Sequence, residues 1–300
     1  MDELVIISGK GGTGKTSLTA AFAVLAAPVV VADCDVDAAD LALLLEPSNQ
    51  VAEPFRGGVL PLLDSQRCTA CGACLDACRF GAVTVVRNDG DTPHYGIDAI
   101  ACEGCGVCAA VCPADAITLH EHTSGELFTA TARVGPMVHA RLGIAEEHSG
   151  KLAAMVRSRA KERAAATGLD LVIVDGPPGA GCPVISSITG ARAVCIVTEP
   201  TVSGAHDLER VAELARHCRV PATVLVNKFD LNPAVTEQIE SFCRDSGISY
   251  AGRVPYSPQV TRAMLAHRTL ADEPRPDVFP YVAAAWQHVH DFIRTHKNTP

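Results

Sequence analysis

Aromatic side chains are scarce in this sequence. Phe, Trp and Tyr make up 4% of its 300 residues, with a single Trp. The core must therefore come from Val, Leu, Ile and Ala, the residues that buried parallel strands favour. Positive charge is also in short supply. With 25 Lys and Arg against 34 Asp and Glu, the net charge is −9. That balance argues against sequence-independent nucleic-acid binding and against a polybasic membrane anchor. Long apolar runs are missing too. The longest, residues 18–32, is broken by Pro28 and is too short to cross a bilayer. The first apolar strand starts at Leu4, so no signal peptide is expected, and the expectation is a cytoplasmic protein without stable membrane insertion.

Other features are abundant. Apolar residues reach 48%, enough for a sizeable core in one or two domains. Thirteen cysteines in a cytosolic chain point to metal ligands or buried thiols rather than disulfides.

The stretch 4–16 reads LVIISGKGGTGKT. An apolar run enters a glycine-rich turn, and a helix-forming stretch follows at 17–26. Gly9, Gly14, Lys15 and Thr16 fit G-x-x-x-x-G-K-[ST]. Glycines let backbone N–H groups close around phosphate oxygens, and the helix N-terminus adds positive potential. The expected nucleotide-binding set here is Gly9, Gly11, Gly12, Thr13, Gly14, Lys15, Thr16 and Ser17. Lys15 reaches the phosphates and the Thr16 hydroxyl ligates Mg²⁺.

A second apolar run, 29–32, ends in Asp33, Asp35 and Asp37, where a parallel strand meets its ligand crevice. The alternative for each is to cap a helix expected over 38–45. Residues 46–58 read as a linker. Another apolar strand, 171–174, ends in Asp175, the second acidic residue expected of a P-loop fold, with a role in holding Mg²⁺. The strand 223–226 ends in Asn227, Lys228, Phe229 and Asp230, which also fits the guanine-reading N-K-x-D pattern. Further strands at 194–197 and 249–254 alternate with helices at 203–217, 258–267 and 278–296. This order predicts an α/β fold with a doubly wound, mostly parallel sheet.

Between these parts lies a repeat. Cys68, Cys71, Cys74 and Cys78 form C-x2-C-x2-C-x3-C, and Cys102, Cys105, Cys108 and Cys112 repeat it at an offset of 34 residues. This is the spacing of a two-cluster bacterial ferredoxin, in which the fourth cysteine of each run ligates the other cluster. One [4Fe–4S] cluster is assigned to Cys68, Cys71, Cys74 and Cys112, and the other to Cys102, Cys105, Cys108 and Cys78. Zinc is the competing metal. Arg79 stands where a proline is expected after Cys78. Strands are expected at 82–87, 116–122 and 127–133. The domain expectation is a discontinuous P-loop nucleotide-binding domain, 1–58 and 128–300, with an α+β ferredoxin-like insertion at 59–127. His139 and His148 are either metal or partner contacts or plain surface residues. Cys182 is either a reactive thiol or a small buried one.

Lys10 follows the first glycine of the loop. With it, KGGTGKT resembles the deviant P-loop ATPases of the MinD/ParA group, whose relatives include the nitrogenase iron protein and Mrp-type ATPases. The whole chain resembles the branch that carries an inserted ferredoxin domain. The resemblance implies a homodimer that sandwiches nucleotide, with Lys10 reaching the partner's phosphates. It implies that Asp35 orients the attacking water and helps hold Mg²⁺, and that Asp33 and Asp37 fit that role less well. It implies that DGPPG at 175–179 senses the γ-phosphate, and that Asn227, Lys228, Pro255 and Tyr256 surround the base. It also favours ATP over GTP. Lys10, Lys15 and Asp35 are thus the expected catalytic residues, and Thr16, Asp35 and Asp175 the magnesium set. The expected function is Mg²⁺-dependent ATP hydrolysis coupled to electron transfer to a redox partner. The alternatives are assembly or delivery of a metal cluster to an accepting protein, and MinD/ParA-like positioning. The C-x-x-C pair usual in the carrier branch is missing after Cys112.

Overall fold

The computed structural model describes residues 1–89, 92–143 and 149–296. The chain opens with β1 (Asp2–Ser8), α1 (Lys15–Ala26), β2 (Val30–Asp33), α2 (Leu41–Leu45) and β3 (Ser48–Phe55). Then come β4 (Gly58–Leu63), α3 (Ala73–Ala77), β5 (Val83–Asp89), β6 (Thr92–Ile97), α4 (Val107–Ala110) and β7 (Ile117–His122). Next are β8 (Gly125–Ala132), β9 (Gly135–Leu142), α5 (Ser149–Thr167), β10 (Leu171–Pro178), α6 (Cys182–Ile188) and β11 (Ala193–Thr198). The chain continues through α7 (Val202–His217), β12 (Ala222–Asn227), α8 (Pro233–Asp245), β13 (Ser249–Val254), α9 (Pro258–Leu265) and α10 (Phe279–Thr295).

These elements form two compact units: residues 1–53, 127–141 and 149–300, and residues 54–126 and 142–148. The larger unit holds a nine-stranded sheet in the order β13-β12-β11-β1-β10-β2-β9-β8-β3. From β13 to β9 every neighbouring pair is parallel. The expectation of an α/β fold around a mostly parallel sheet is borne out. Leu4, Ile6, Val31, Ile173 and Cys195 join one core with Leu18, Phe22, Leu41 and Leu45 from α1 and α2, and Val282, Val289 and Ile293 from α10. The alternate strand residues, such as Val5, Ile7, Val30, Ala32, Val172 and Val174, are also fully buried. Both sheet faces are therefore covered, which is why these strands read as unbroken apolar runs.

Three expectations are corrected. Residues 46–58 are not a linker, since Ser48–Phe55 forms the outermost strand of the sheet. Its residues 48–52 are exposed, so no alternation marked it in the sequence. Residues 135–142 form strand β9, which pairs with β2, where no strand was expected. The helix expected over 38–45 begins only at Leu41, whose N–H donates to the Asp33 carboxylate at 3.1 Å.

The smaller unit has its own elements. β4 pairs antiparallel with β7, and β5 with β6. Its core is small, with Cys74, Val83 and Ile117 packed by Leu63, Tyr95 and Ile97. Gly72 and Gly106, at φ of 79° and 76°, enter α3 and α4, so the sequence repeat is also a repeat of backbone form.

One buried ion pair ties α5 to the first strand. Arg157 donates twice to Glu3, at 2.8 and 2.6 Å, and its Nη1 donates to the Ser186 and Thr189 carbonyls. Both side chains are under a tenth exposed. Lys161 also reaches Glu3, at 2.9 Å, so truncating Arg157 leaves the buried carboxylate one partly exposed cation and costs at most about 3–5 kcal/mol. Arg157→Met should lower the unfolding free energy by up to that amount in urea titration, and a loss below about 1 kcal/mol would contradict the buried-pair account.

Candidate nucleotide site

The site lies in the larger unit, where the carboxyl ends of β1, β2, β10 and β12 meet the N-terminus of α1. The turn between β1 and α1 depends on glycine at two places. Gly14 has φ of +87°, and a Cβ there would stand 2.3 Å from Asn227 Nδ2. Gly9 faces Asp207, whose Cβ would lie 2.4 Å from any added Cβ. The loop is braced from β12. Asn227 Nδ2 donates to the Thr13 carbonyl at 2.7 Å, and Lys228 Nζ donates to the Gly12 carbonyl at 2.9 Å.

Asp175 is the hub. Lys15 Nζ donates to its Oδ1 at 2.8 Å, Thr16 Oγ1 to its Oδ2 at 2.7 Å, and Thr19 Oγ1 to its Oδ1 at 3.1 Å. Asp35 Oδ2 stands 3.4 Å from the same Lys15 nitrogen. Burial pulls the Lys15 pKa down, but Asp175, Asp35 and Asp33 outweigh it and hold the ammonium above its ordinary range. Asp35 is pushed up by burial against the pull of Lys15. The fully buried Asp33 is pushed well above the carboxylate range, by burial first and by Asp175 second. Its two oxygens accept from the Asp35 and Leu41 N–H groups, which places the Asp35 backbone.

A cleft of about 570 Å³ opens here. The loop residues 11–17, Asp35, Asn227, Lys228, Pro255 and Tyr256 line it, as do the unforeseen Val260, Thr261 and Met264. This volume lies in the range of ligand pockets. Asp230, the guanine-reading candidate, instead accepts from the Tyr256 N–H at 2.6 Å and is not in the lining. Sequence reasoning also missed Thr19, one helical turn beyond Lys15, and Glu199. Glu199 lies between Lys10, at 2.6 Å, and Lys228, at 3.0 Å. Burial tends to raise the Glu199 pKa, yet hydrogen bonds from the two lysines hold it below the ordinary value.

Among the described residues, no three His, Cys, Asp or Glu side chains are arranged to hold a single metal ion. The hydroxyl of Thr16 and the carboxylates of Asp175 and Asp35 are hard oxygen donors. They suit a Mg²⁺ ion that takes its other ligands from water and phosphate. His139 is buried and stacked on Phe128, with its Nε2 unpartnered and burial lowering its pKa. His148 lies outside the described residues. Cys182 is exposed, not buried, at the start of α6. Cys34, Cys195 and Cys243 are buried, and burial raises the Cys195 thiol to about 12.

In the smaller unit, Cys78, Cys102, Cys105 and Cys108 line one small cavity, of about 20 Å³. The backbone N–H groups of the following turn, that of Val83 foremost, hold the Cys78 thiol below the ordinary range against a little burial. Cys74 and Cys108 are pushed up by burial, each with two cysteines of its own run beside it. All thirteen cysteines are free thiols.

A strand, a glycine turn and a helix that together bury a lysine against an aspartate define a P-loop nucleotide-binding protein. The chain belongs to the CobQ/CobB/MinD/ParA family, whose nucleotide binding domain matches residues 4–270. An uncharacterized protein of Methanocaldococcus jannaschii, MJ0578, is 35% identical over 234 residues, or 77% of this chain and 79% of that protein. Among solved structures, the septum site-determining protein MinD with Mg-ADP from Pyrococcus horikoshii is similar in fold, with a TM-score of 0.58 at 14% identity, covering 99% of each chain. The MinC:MinD cell division complex of Aquifex aeolicus gives 0.55 at 16% identity, with 100% of this chain and 98% of that chain covered.

The buried Asp33 has a pH consequence. Its native pKa lies above its unfolded value, so between the two the native state binds more protons, and stability falls as pH rises through that window. In nucleotide-free protein, the wild-type stability minus that of Asp33→Asn should fall from about pH 4 upwards. A difference that stays flat across the series would rule out this contribution.

Proposed function

We propose that this chain is a Mg²⁺-dependent ATPase of the MinD/ParA type, which binds ATP in the cleft, pairs with a second copy and engages a partner protein. The observation that carries the reading is the Lys15–Thr16–Asp175–Asp35 cluster at the mouth of a glycine-braced loop. Lys15 would hold the β- and γ-phosphates. Thr16, Asp175 and Asp35 would hold Mg²⁺, which when bound neutralises charge developing on the phosphates. Asp35 would also orient the attacking water, and Lys10 would reach the partner's nucleotide. The structural likeness to a MinD seen with MinC and a MinD seen with Mg-ADP supports a nucleotide-controlled switch. The engagement of Asp230 by Tyr256 supports adenine over guanine, because a guanine-reading carboxylate must face the base.

Membrane positioning draws less support. The apolar face of α10, with Val282, Ala285, Val289 and Ile293, is spent in the core. Among the described residues, no helix is long and apolar enough to cross a membrane.

A second reading rests on the cysteines. We propose that the smaller unit is a ferredoxin-like insertion holding two [4Fe–4S] clusters, one on Cys68, Cys71, Cys74 and Cys112 and one on Cys102, Cys105, Cys108 and Cys78. The cavity shared by the second set supports this, since it gathers the cross-paired Cys78 with the other run. A cubane spreads its four sulfurs over four irons, whereas zinc draws them to one point. Loaded clusters would supply one-electron transfer, and ATP turnover would then gate delivery of electrons to a partner.

Two measurements test these readings separately. Lys15→Ala should lower ATP turnover about 100-fold, the scale of losing one oriented charge at a reacting phosphate, with ATP preferred to GTP in the wild type. Turnover near the wild-type rate, or a GTP preference, would refute the assignment. Anaerobically purified protein should contain about eight iron and eight sulfide per chain, and Cys78→Ser should reduce both by about half. Stoichiometric zinc without sulfide would replace the cluster reading.

A further inference from the structure

Lys10 is fully engaged within its own chain. Its Nζ lies 2.6 Å from Glu199 Oε1, 3.2 Å from Thr201 Oγ1 and 3.2 Å from Ser203 Oγ. An ammonium has three N–H donors, so these three oxygens match its capacity. The other Glu199 oxygen holds Lys228 at 3.0 Å, and Lys228 also donates to the Gly12 carbonyl of the phosphate loop. One carboxylate thus bridges the two lysines that flank the loop.

The segment carrying Glu199 is tightly fixed. Thr198 Oγ1 donates to the Gly204 carbonyl, and Thr201 Oγ1 accepts from the Gly204 N–H as the cap of α7. A Cβ on Gly204 would stand 2.4 Å from the Glu199 carbonyl, so only glycine fits there. The Glu199 side chain is 15% exposed and that of Lys10 is 30% exposed. Water therefore reaches the lysine more readily than the carboxylate, and the lysine is the member free to leave.

We infer that Glu199 is the resting partner of Lys10, an internal anion that keeps the lysine at the head of α7 until a polyphosphate competes for it. This deepens the proposed function and rests on Lys10 being a phosphate-contacting residue. A single carboxylate carries one negative charge, whereas a nucleoside triphosphate carries several within a few ångströms of each other. Coulomb attraction thus favours transfer to the triphosphate and disfavours transfer to a lone monoanion. Lys228 keeps its Gly12 contact after the transfer, so the carboxylate retains one cation when the other departs. Glu199 sets the ATP concentration at which a second copy is captured, and it acts through Lys10 as a positioning residue.

The test compares wild type with Glu199→Gln, which is nearly isosteric. The first readout is the acylation rate of the Lys10 amine in nucleotide-free protein, followed by peptide mass spectrometry. The second is the ATP concentration for half-maximal dimer formation, read by sedimentation. Glu199→Gln should raise the labelling rate and lower the half-maximal ATP concentration, each about fivefold, the scale of one partly exposed charge pair. Ser203→Ala keeps the carboxylate and should change the labelling rate by less. Wild-type labelling in Glu199→Gln, or a higher ATP requirement, would overturn the inference. Should ATP induce no dimer in any variant, the proposed function fails, while the labelling result still decides whether Glu199 holds Lys10.

Discussion

The site depends on one contact, the ion pair between Lys15 and Asp175. Both side chains are nearly excluded from water, at 6% and 1% exposure. An ammonium in that position needs an opposite charge, and a carboxylate there needs donors. The fold brings them together because β1, which leads into the loop and α1, lies beside β10, with Ile6 in register with Asp175. Thr16 and Thr19, on the first turn and a half of α1, then fill the remaining acceptor positions of the carboxylate. Strand order, helix entry and loop shape are thus tied together by the desolvation cost of two charges.

The crevice follows from the same topology. From β1 the chain passes to β2 on one side and later returns to insert β10 between them, and then winds outward through β11, β12 and β13 on the other. Loops diverge at such a reversal and leave room at the carboxyl ends of the strands. The P-loop occupies that room on one wall, and Asn227 and Lys228 buttress it from the end of β12. The glycine pattern alone gives no hint of this bracing, because it depends on residues more than two hundred positions away.

Much of the larger unit was legible in the sequence. Strands buried on both faces announce themselves as apolar runs, as β1, β2, β11 and β12 do. Lys15, Thr16 and Asp175 could be placed because a motif and a strand end marked them. Features set by tertiary pairing were not legible. β3 is an exposed edge with no alternation. β9 carries a histidine and an arginine that masked it as a loop. The late start of α2 depends on Asp33 reaching the Leu41 N–H, which no local preference for capping reveals. Glu199 sits after a strand like many other carboxylates, and only the folded chain shows two lysines on it.

The chain also divides its chemistry by donor softness. The larger unit presents hydroxyl and carboxylate oxygens around Lys15, while the smaller one presents two runs of thiols. Hard oxygens suit Mg²⁺ and phosphate counter-charge, and thiolates suit iron, copper or zinc. The thiols are not uniform in readiness. Nearby backbone N–H groups, that of Val83 foremost, favour the thiolate form of Cys78, while burial pushes the thiols of Cys74 and Cys108 up. Any metal taken up by these runs must displace thiol protons, so uptake is coupled to pH. Were a cluster held there, the same N–H groups would bear on its reduction potential, since hydrogen bonds to cluster sulfur are one of its determinants.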